Sequence, residues 1–574
     1  MPGGRRIAII GAGEAGAQLA LGLHDEGYAV TLISERSAEQ IRTGNILSSQ
    51  CMFGSALAAQ EDVAACADGA AGVEISGIRF AVPGLVEPWA ASLDRPALSI
   101  DQRVKCAEWI ERFVRDGGDF RIEHAGVPLL ESLAAGYDLV VVATGKGELS
   151  QLFATDHGRS PFDRPQRVSA VTYVTAADED AEPHRIRLSV LPGVGEFFTF
   201  PGLTVSGPCR MMVFEGVPGG PFDRWDDVST PAEHLTRSME LLADHLPDEA
   251  ERFVGARLTD EGATLRGRVT PTVRVPVGTL ASGRSVFALG DAAVLNDPLT
   301  GQGSNNASIA AHHYLDAIVR RGDKPFDAEW MRRTFEDYWR GWGQWSTAWT
   351  NGMLQGLRPA QLRLIEAAES VPTLAQAIVA GFDDPRTLFP WWSDETAAAE
   401  FLAARESERD ARFDLRDFRN ALGQFATGVT VITTRAADGH LVGMTANSFA
   451  SVSMDPPLVL WCPGKHVASL SDFTDATHFA INVLASSQHH LSRQFALPGT
   501  DKFAGVPIRE GRAGVPVLEG ALATFECRTV ARHDAGDHVI YVGEVERYEY
   551  HPDDPLVFHG GAYHDTARHR SVTS

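Results

Sequence analysis

No stretch of this 574-residue chain approaches 18 consecutive apolar residues, so no membrane-spanning helix is expected. Positive charge is scarce as well. Against 75 aspartates and glutamates stand 51 lysines and arginines, a formal charge of −24. That deficit argues against nucleic acid or a membrane surface as partner, because both require basic patches. Cysteine is sparse: six residues, at 51, 66, 106, 209, 462 and 527, with no C-x-x-C pair and no cluster. They read as reduced, buried small hydrophobes of a cytoplasmic protein, and no metal site is expected. The adjacent pairs His312-His313 and His489-His490 do not alter this. Neighbouring side chains on one helix or strand do not converge on an ion. The first strand begins at residue 6, which leaves no room for a signal peptide. Between residues 165 and 280 there is no acid–base pair, no Ser-His-Asp set and no metal-ligand spacing.

What is present is glycine at meaningful places. The apolar run from Arg6 to Ile10 reads as a strand, and Gly11, Gly13 and Gly16 follow as G-x-G-x-x-G. A helix with Leu19, Ala20 and Leu23 on one face leads to a second strand, Ala29–Ser34. Glu35 closes that strand 19 residues after Gly16, where a ribose-binding acid belongs. This setting predicts a dinucleotide site; a bare G-x-G-x-x-G would equally suit a tight βα turn. Far downstream, the short strand Ser285–Leu289 ends in Gly290-Asp291. A loop with Pro298, Leu299, Gly301, Gln302 and Gly303 then opens a helix at Ser304. Bare N–H groups at such a helix start suit a pyrophosphate, an anionic flavin ring or a carboxylate.

Two distant glycine motifs are not explained by a nicotinamide-binding half alone. At Gly11–Glu35, Asp138–Gly145 and Gly290–Gly303 the chain resembles flavoprotein monooxygenases of the aromatic-hydroxylase type. It is most similar to the oxygenases of the styrene and indole monooxygenase family, whose late motif is G-D-x-x-x-x-x-D-P-x-x-G-Q-G-x-N. Gly290, Asp291, Asp297, Pro298, Gly301, Gln302, Gly303 and Asn305 match it. The resemblance spans residue 5 to about 400 and implies FAD held by Gly11, Gly13, Gly16, Glu35, Thr144, Gly145, Gly290, Asp291, Gly301, Gln302, Gly303 and Asn305. In the family, residues 36–54 cross the flavin ring. Ser48, Gln50 and Met52 match the indole-type pattern Ser-x-Gln-x-Met, and Ile75, Ile78 and Ala97 match the small apolar pocket positions. Pro298 and Leu299 complete the expected substrate pocket. A surface loop with the same letters is the plainer reading of 48–52. The helix from Asp101 to Val114 is expected to turn Val104, Ala107, Ile110 and Val114 inward. Its Arg103 is either solvated or, as the family implies, close to the flavin. Seven aromatics between Trp330 and Trp349 at helical spacing read as packing.

After a polar stretch at 403–416 the pattern becomes all-β, with strand runs from Val429 to His559. This part resembles the short-chain flavin reductases with a split β-barrel. The matching motifs are Phe425–Val431, Met444–Phe449, Ser453 with Pro456-Pro457, Lys502-Phe503 and Gly536-Asp537-His538. The resemblance implies a flavin site at Thr445, Asn447, Ser448, Ser453, Lys502, Phe503, Gly536 and Asp537, and a nicotinamide placed by a catalytic His538. Thr445, Asn447 and Ser448 also fit an ordinary turn.

The expected architecture is α/β plus all-β. A Rossmann-type FAD-binding domain (about 1–165 and 280–402) carries a β-sheet substrate domain (about 166–279). A linker at 403–416 and a split β-barrel reductase at 417–565 follow. The implied function is a self-sufficient monooxygenase. NADH reduces FAD in the C-terminal domain. The N-terminal domain uses reduced FAD and O2, through a flavin hydroperoxide, to epoxidise indole or a styrene-like alkene. The alternative is mainly an NADH:FAD oxidoreductase whose N-terminal domain is non-catalytic, sulfoxidising or hydroxylating. The expected partners are the aromatic substrate, O2, a second copy of the chain and a separate oxygenase homologue sharing the reduced FAD.

Overall fold

The computed structural model describes residues 4–48, 50–61, 72–145, 147–175, 184–411, 415–465, 467, 469–497 and 501–566. The chain divides into two compact units, Met1–Ala411 and Arg412–Ser574.

The first unit contains two sheets. We number its strands β1 (Arg6–Ile10), β2 (Ala29–Ser34), β3 (Val73–Val82), β4 (Val86–Ser99), β5 (Asp119–Ile122), β6 (Leu139–Val142), β7 (Val168–Thr175), β8 (Arg185–Leu191), β9 (Gly195–Thr204) and β10 (Gly207–Gly216). The first sheet runs in the order Val277–Thr279, Ser285–Ala288, β6, β1, β2, β5. It is parallel from Ser285–Ala288 to β5. Its central strands are continuously apolar because helices cover both faces; Ile7, Ala8, Ile9, Val141 and Val142 are fully buried. The helices Glu14–Asp25 and Gln302–Arg321 lie side by side, and Gln18 Nε2 donates to the Ser308 carbonyl at 3.1 Å.

The second sheet has the order Arg257–Leu258, β7, β10, β9, β8, β3, β4, with Thr264–Arg268 also pairing β7. All its pairs are antiparallel except β3 with β8. Here the structure corrects the sequence reading. Residues 73–99 belong to this sheet and not to the first, because β3 pairs across the chain with β8 while hairpinning onto β4. The helix Gln102–Arg115 also turns differently from expectation. Its buried residues include Arg103, Lys105, Cys106, Ala107, Trp109, Ile110 and Phe113, while Val114 is 49% exposed. Two charged side chains point inward because buried carboxylates await them there. The aromatic stretch packs as expected, with Trp330, Trp339, Trp342 and Trp349 buried. The stretch expected as a linker is largely helical, in Glu395–Ala411 and Leu415–Leu422, with 412–414 outside the described residues.

The second unit is built on a seven-stranded antiparallel sheet in the order Leu441–Ala446, Thr430–Arg435, His478–Val483, Ala523–Ala535, His538–Tyr550, Pro457–Trp461, Ala450–Met454. Trp461, Phe479, Ile481 and Tyr541 fill its core. Cys51, Cys106, Cys209 and Cys527 are buried free thiols and Cys462 is half-buried; Cys66 lies outside the described residues. Among the described residues there is no cluster able to hold a metal ion, and no helix is long and apolar enough to cross a membrane.

Candidate functional site

The carboxyl ends of β1, β6 and Ser285–Ala288 meet where a cleft opens. Gly11, at φ +106°, turns the chain from β1 into the helix Glu14–Asp25. A Cβ on Gly16 would stand 1.9 Å from the Gly11 carbonyl oxygen, so only glycine permits this close strand–helix packing. A Cβ on Gly13 would meet nothing within 4 Å. That open position lies on the wall of two cavities. One, of about 300 Å³, is lined by Gly11, Gly13, Glu35, His124, Ala143 and Thr144. The other, of about 280 Å³, is lined by Gly13, Ser48, Gly290, Asp291, Pro298, Gly301, Gly303 and Ser304 among others. Gly145 packs so tightly on Asp291 that a Cβ there would lie 2.3 Å from the aspartate's own Cβ. The late Gly-Asp turn is thus locked against the end of β6.

These residues fit a dinucleotide. The first-turn N–H groups of Glu14–Asp25 have no side-chain cap. Thr144 Oγ1 and Ser48 Oγ are buried without a hydrogen-bond partner. Buried polar atoms left over in this way are matched when a ligand supplies the partner.

Behind the cleft lies a buried charge network. Glu14 is 5% exposed and Lys105 6%, and Lys105 Nζ sits 2.7 Å from Glu14 Oε1. Gln60 donates to the same carboxylate, and Gln50 Nε2 donates to Glu14 Oε2 at 2.9 Å. The strand-end loop, the helix Gln102–Arg115 and the segment that starts at Gln50 are therefore tied at one carboxylate.

In the second unit Gly536, at φ +63°, forms the turn before His538. His538 is part-exposed, with Nδ1 2.8 Å from Asp537 Oδ1, and it forms a backbone bridge with Gly464.

Comparison with known proteins accounts for both units. Residues 422–567 match the family "Flavin reductase like domain". Residues 145–252 match "Styrene monooxygenase A putative substrate binding domain". The FMN reductase (NADH) SmoA of Agrobacterium fabrum is 54% identical over 148 residues, 26% of this chain and 84% of that protein. The styrene monooxygenase StyA of a Pseudomonas species is 29% identical over 398 residues, 66% of this chain and 93% of that protein. The chain belongs to the flavin reductase family, with a styrene monooxygenase A-like region fused before it.

Within the styrene monooxygenase A-like region, several residues expected at the FAD serve the protein itself. Arg103 is 1% exposed, and its five N–H groups meet Asp101, the Gly44 carbonyl, Thr204 and both oxygens of Asp260. No donor remains for a flavin, so the guanidinium is a structural clamp. Asn305 takes the Phe53 N–H and donates to the Cys51 and Gly301 carbonyls, which pins segment 51–53 to the helix start. Gln302 Nε2 donates to the Phe382 carbonyl at 2.9 Å. Glu35 lies on the first cavity, with His124 Nδ1 2.6 Å from its carboxylate.

The expected pocket residues are divided. Ser48 and Pro298 line the second cavity. Met52, Ile75, Ile78 and Ala97 are at most 2% exposed, and Ile75 faces Ala97 across β3 and β4. Leu299 lines a neighbouring narrow apolar void with Trp349 and Phe382. Gln50 is fully buried, with its Nε2 committed to Glu14 and its Oε1 unpartnered.

The flavin reductase domain shows the same inward use of polar groups. Thr445 Oγ1 donates to the Ser492 carbonyl at 2.7 Å, and the Ser448 hydroxyl takes the Cys462 N–H at 2.9 Å. Ser453 Oγ accepts from the Asp455 N–H at 3.2 Å. Lys502 donates to the Phe495 and Gly443 carbonyls, and burial lowers its pKa. Two of its three N–H donors are thus used within the protein. Phe503 packs edge-on to Phe495 with centroids 5.0 Å apart, and Asn447 is exposed.

Sequence reading missed Glu14 and Glu215, which line the second cavity, and Lys105, which pairs with Glu14; it gave Asp297 only as a motif match. A charged residue inside a glycine motif and one on an apolar helix face were the available signals.

Proposed function

We propose that the chain is a self-sufficient flavin monooxygenase. Its reductase domain, a split barrel by resemblance, passes hydride from NADH to FAD. Its styrene monooxygenase A-like region uses the reduced FAD and O2 to epoxidise indole or a styrene-like alkene. The observation that carries the reading is the pair of cavities meeting at Gly13. In this reading Gly11–Glu14 hold the pyrophosphate, Thr144, Gly290 and Asp291 flank the flavin chain, and Gly301–Ser304 meet the ring. A bound reduced flavin supplies the electrons that activate O2. The protein's own part is to position the alkene against an apolar wall and to keep water away. Incubating the full chain with NADH and FAD or FMN, then with indole or styrene, tests this. An indole or styrene oxide is expected. NADH oxidation without any oxygenated product would leave only reductase activity, and a sulfoxidised or hydroxylated product would redirect the chemistry.

The substrate reading rests on Gln50. Gln50 is buried just behind the cavity-lining Ser304, 3.4 Å from its hydroxyl, and in this reading its unpartnered Oε1 accepts an indole N–H, which styrene lacks. A site with a buried polar group discriminates against an analogue that leaves the group unmatched. Gln50→Val should therefore lower the indole-to-styrene ratio of kcat/KM by a factor of about ten, ~1.4 kcal/mol. An unchanged ratio would remove Gln50 from substrate selection.

For the reductase, His538→Ala in the full chain should slow NADH oxidation with free FAD about tenfold, ~1.4 kcal/mol of transition-state binding. A wild-type rate would place the nicotinamide elsewhere. Self-association is supported by the exposed Phe425 and Met454, at 77% and 91%. A separate oxygenase homologue drawing on the same reduced FAD remains a proposed partner.

A further inference from the structure

A polar row crosses the second sheet beneath the candidate site. In register, Ser169 of β7 pairs with Glu215 of β10, and Glu215 pairs with Glu196 of β9. Side chains directly opposite on adjacent strands share a face. Glu215 is in phase with Met211 and Val213 along β10, and these lie in the core cluster containing Phe53 and Leu299. Its side chain thus points to the cleft side, and Ser169 and Glu215 both line the 280 Å³ cavity. At the other end of the row, Glu196 and Val190 line a separate cavity of about 720 Å³ with Arg164 and Arg167. The row therefore joins two cavities through closed protein.

Its carboxyls outnumber their cations. Arg167 binds Glu196 in two-point contact at 2.7 and 2.9 Å, which matches one charge with one. Glu215, and Asp297 on the loop just before the cavity-lining Pro298, are left over, fully and almost fully buried. Glu215 Oε1 and Asp297 Oδ2 have no hydrogen-bond partner. Ser169 Oγ donates to Glu215 Oε2 at 2.7 Å, and the Leu299 N–H donates to Asp297 Oδ1 at 3.1 Å. The other charged groups on the inner cavity are Arg266, which donates to the Trp225 and Val228 carbonyls, Asp291, and Glu14 with its Lys105 partner. Burial holds the Glu215 carboxyl well above the usual carboxylate range, reinforced by the Asp297 charge, and burial pushes Asp297 up to about 7. With burial and the Asp297 charge both acting on it, Glu215 is the carboxyl that holds its proton.

We propose that Glu215, backed by Asp297 and Glu196, is the proton donor of the oxygenase cavity and is resupplied along this row from the outer cavity. The step rests on the monooxygenase reading. Placing one atom of O2 on the substrate releases the other as water, which consumes two electrons and two protons. A reduced flavin held at this cavity would supply both electrons and one proton. The second proton comes from outside the flavin, and Glu215 is a carboxyl on the cavity wall placed to give it. Glu215 gives it to the oxygen leaving as water, becomes a carboxylate, and regains a proton from water of the outer cavity by way of Glu196, with Asp297 beside it holding the proton on the carboxyl pair.

The test compares the full chain with Glu215→Gln, and with Asp297→Asn should the first variant fold poorly. Infrared difference spectra at about pH 8 should show a protonated-carboxyl stretch in the wild type that is absent in E215Q. Folding takes up protons at these carboxyls, so the wild-type melting temperature should fall relative to E215Q between about pH 5 and about pH 8. With NADH, FAD and indole, E215Q should form about tenfold less product per NADH, with hydrogen peroxide released instead. The same stretch in E215Q, or wild-type product per NADH at every pH, would overturn the proposal. A wild type that forms no oxygenated product would overturn the oxygenase reading and the delivery step together, an outcome distinct from wild-type turnover with an unaffected variant.

Discussion

Replacing Lys105 by methionine should cost about 3–5 kcal/mol of the stability of the first unit. The expectation follows from which partner is removed. Lys105 is almost fully buried and reaches Glu14, equally buried, at 2.7 Å, with the Trp109 ring beneath its ammonium at 5.2 Å. Methionine matches the stem of lysine in volume but not its charge. Glu14 is then left as a carboxylate in a dry interior with only the amides of Gln50 and Gln60 as partners. Breaking one side of a buried pair costs more than the pair contributes net, because the remaining ion keeps its desolvation penalty. The double variant Glu14→Gln with Lys105→Met removes both charges and should recover most of the loss. Denaturant unfolding followed by tryptophan fluorescence measures both. A loss below about 1 kcal/mol in the single variant would show that water reaches Glu14 and that the network is not a closed one.

The network also shows which features the sequence made legible. The Gly11–Gly16 turn, the strand Leu139–Val142 and the Gly290–Gly303 loop could be read because each needs particular residues at fixed spacing. The strands between 168 and 216 lie inside the segment expected as a β-sheet substrate domain, about 166–279. The position of β3 and β4 was not. Pairing of β3 with β8 is a contact between residues more than a hundred apart, and local pattern carries no information about it. The helix Gln102–Arg115 misled for a related reason. Arg103 and Lys105 look like solvent-facing charges until Asp260 and Glu14 arrive from distant parts of the chain. Lys502 and Thr445 in the reductase domain carry inward hydrogen bonds to the Phe495 and Ser492 carbonyls, contacts that motif matching does not foresee. Glu215 and Asp297 are two further cases, because what makes them unusual is the missing cation, visible only when the neighbours are known.

Gly13→Val should abolish oxygenated product, by a factor of about a hundred or more, while NADH oxidation by the reductase domain continues. The same substitution at Gly16 should instead prevent the first unit from folding. The two glycines share one motif and differ in what surrounds them. A side chain at Gly16 collides with the Gly11 carbonyl at 1.9 Å, and neither backbone can yield without parting β1 from its helix. A side chain at Gly13 enters open space on the wall shared by both cavities. The protein tolerates it and a pyrophosphate does not, because phosphate oxygens reach the N–H groups of the first helical turn only across a bare Cα. G13V should therefore keep the wild-type melting temperature in the absence of flavin, lose the stabilisation that added FAD gives, and weaken FAD binding about a hundredfold, ~2.7 kcal/mol. Calorimetric titration with FAD and product analysis on the same preparation decide the matter. Equal loss of NADH oxidation and of oxygenation would mean that one flavin site serves both activities. Unchanged FAD binding would mean that the glycine turn is a packing device, with the flavin held elsewhere.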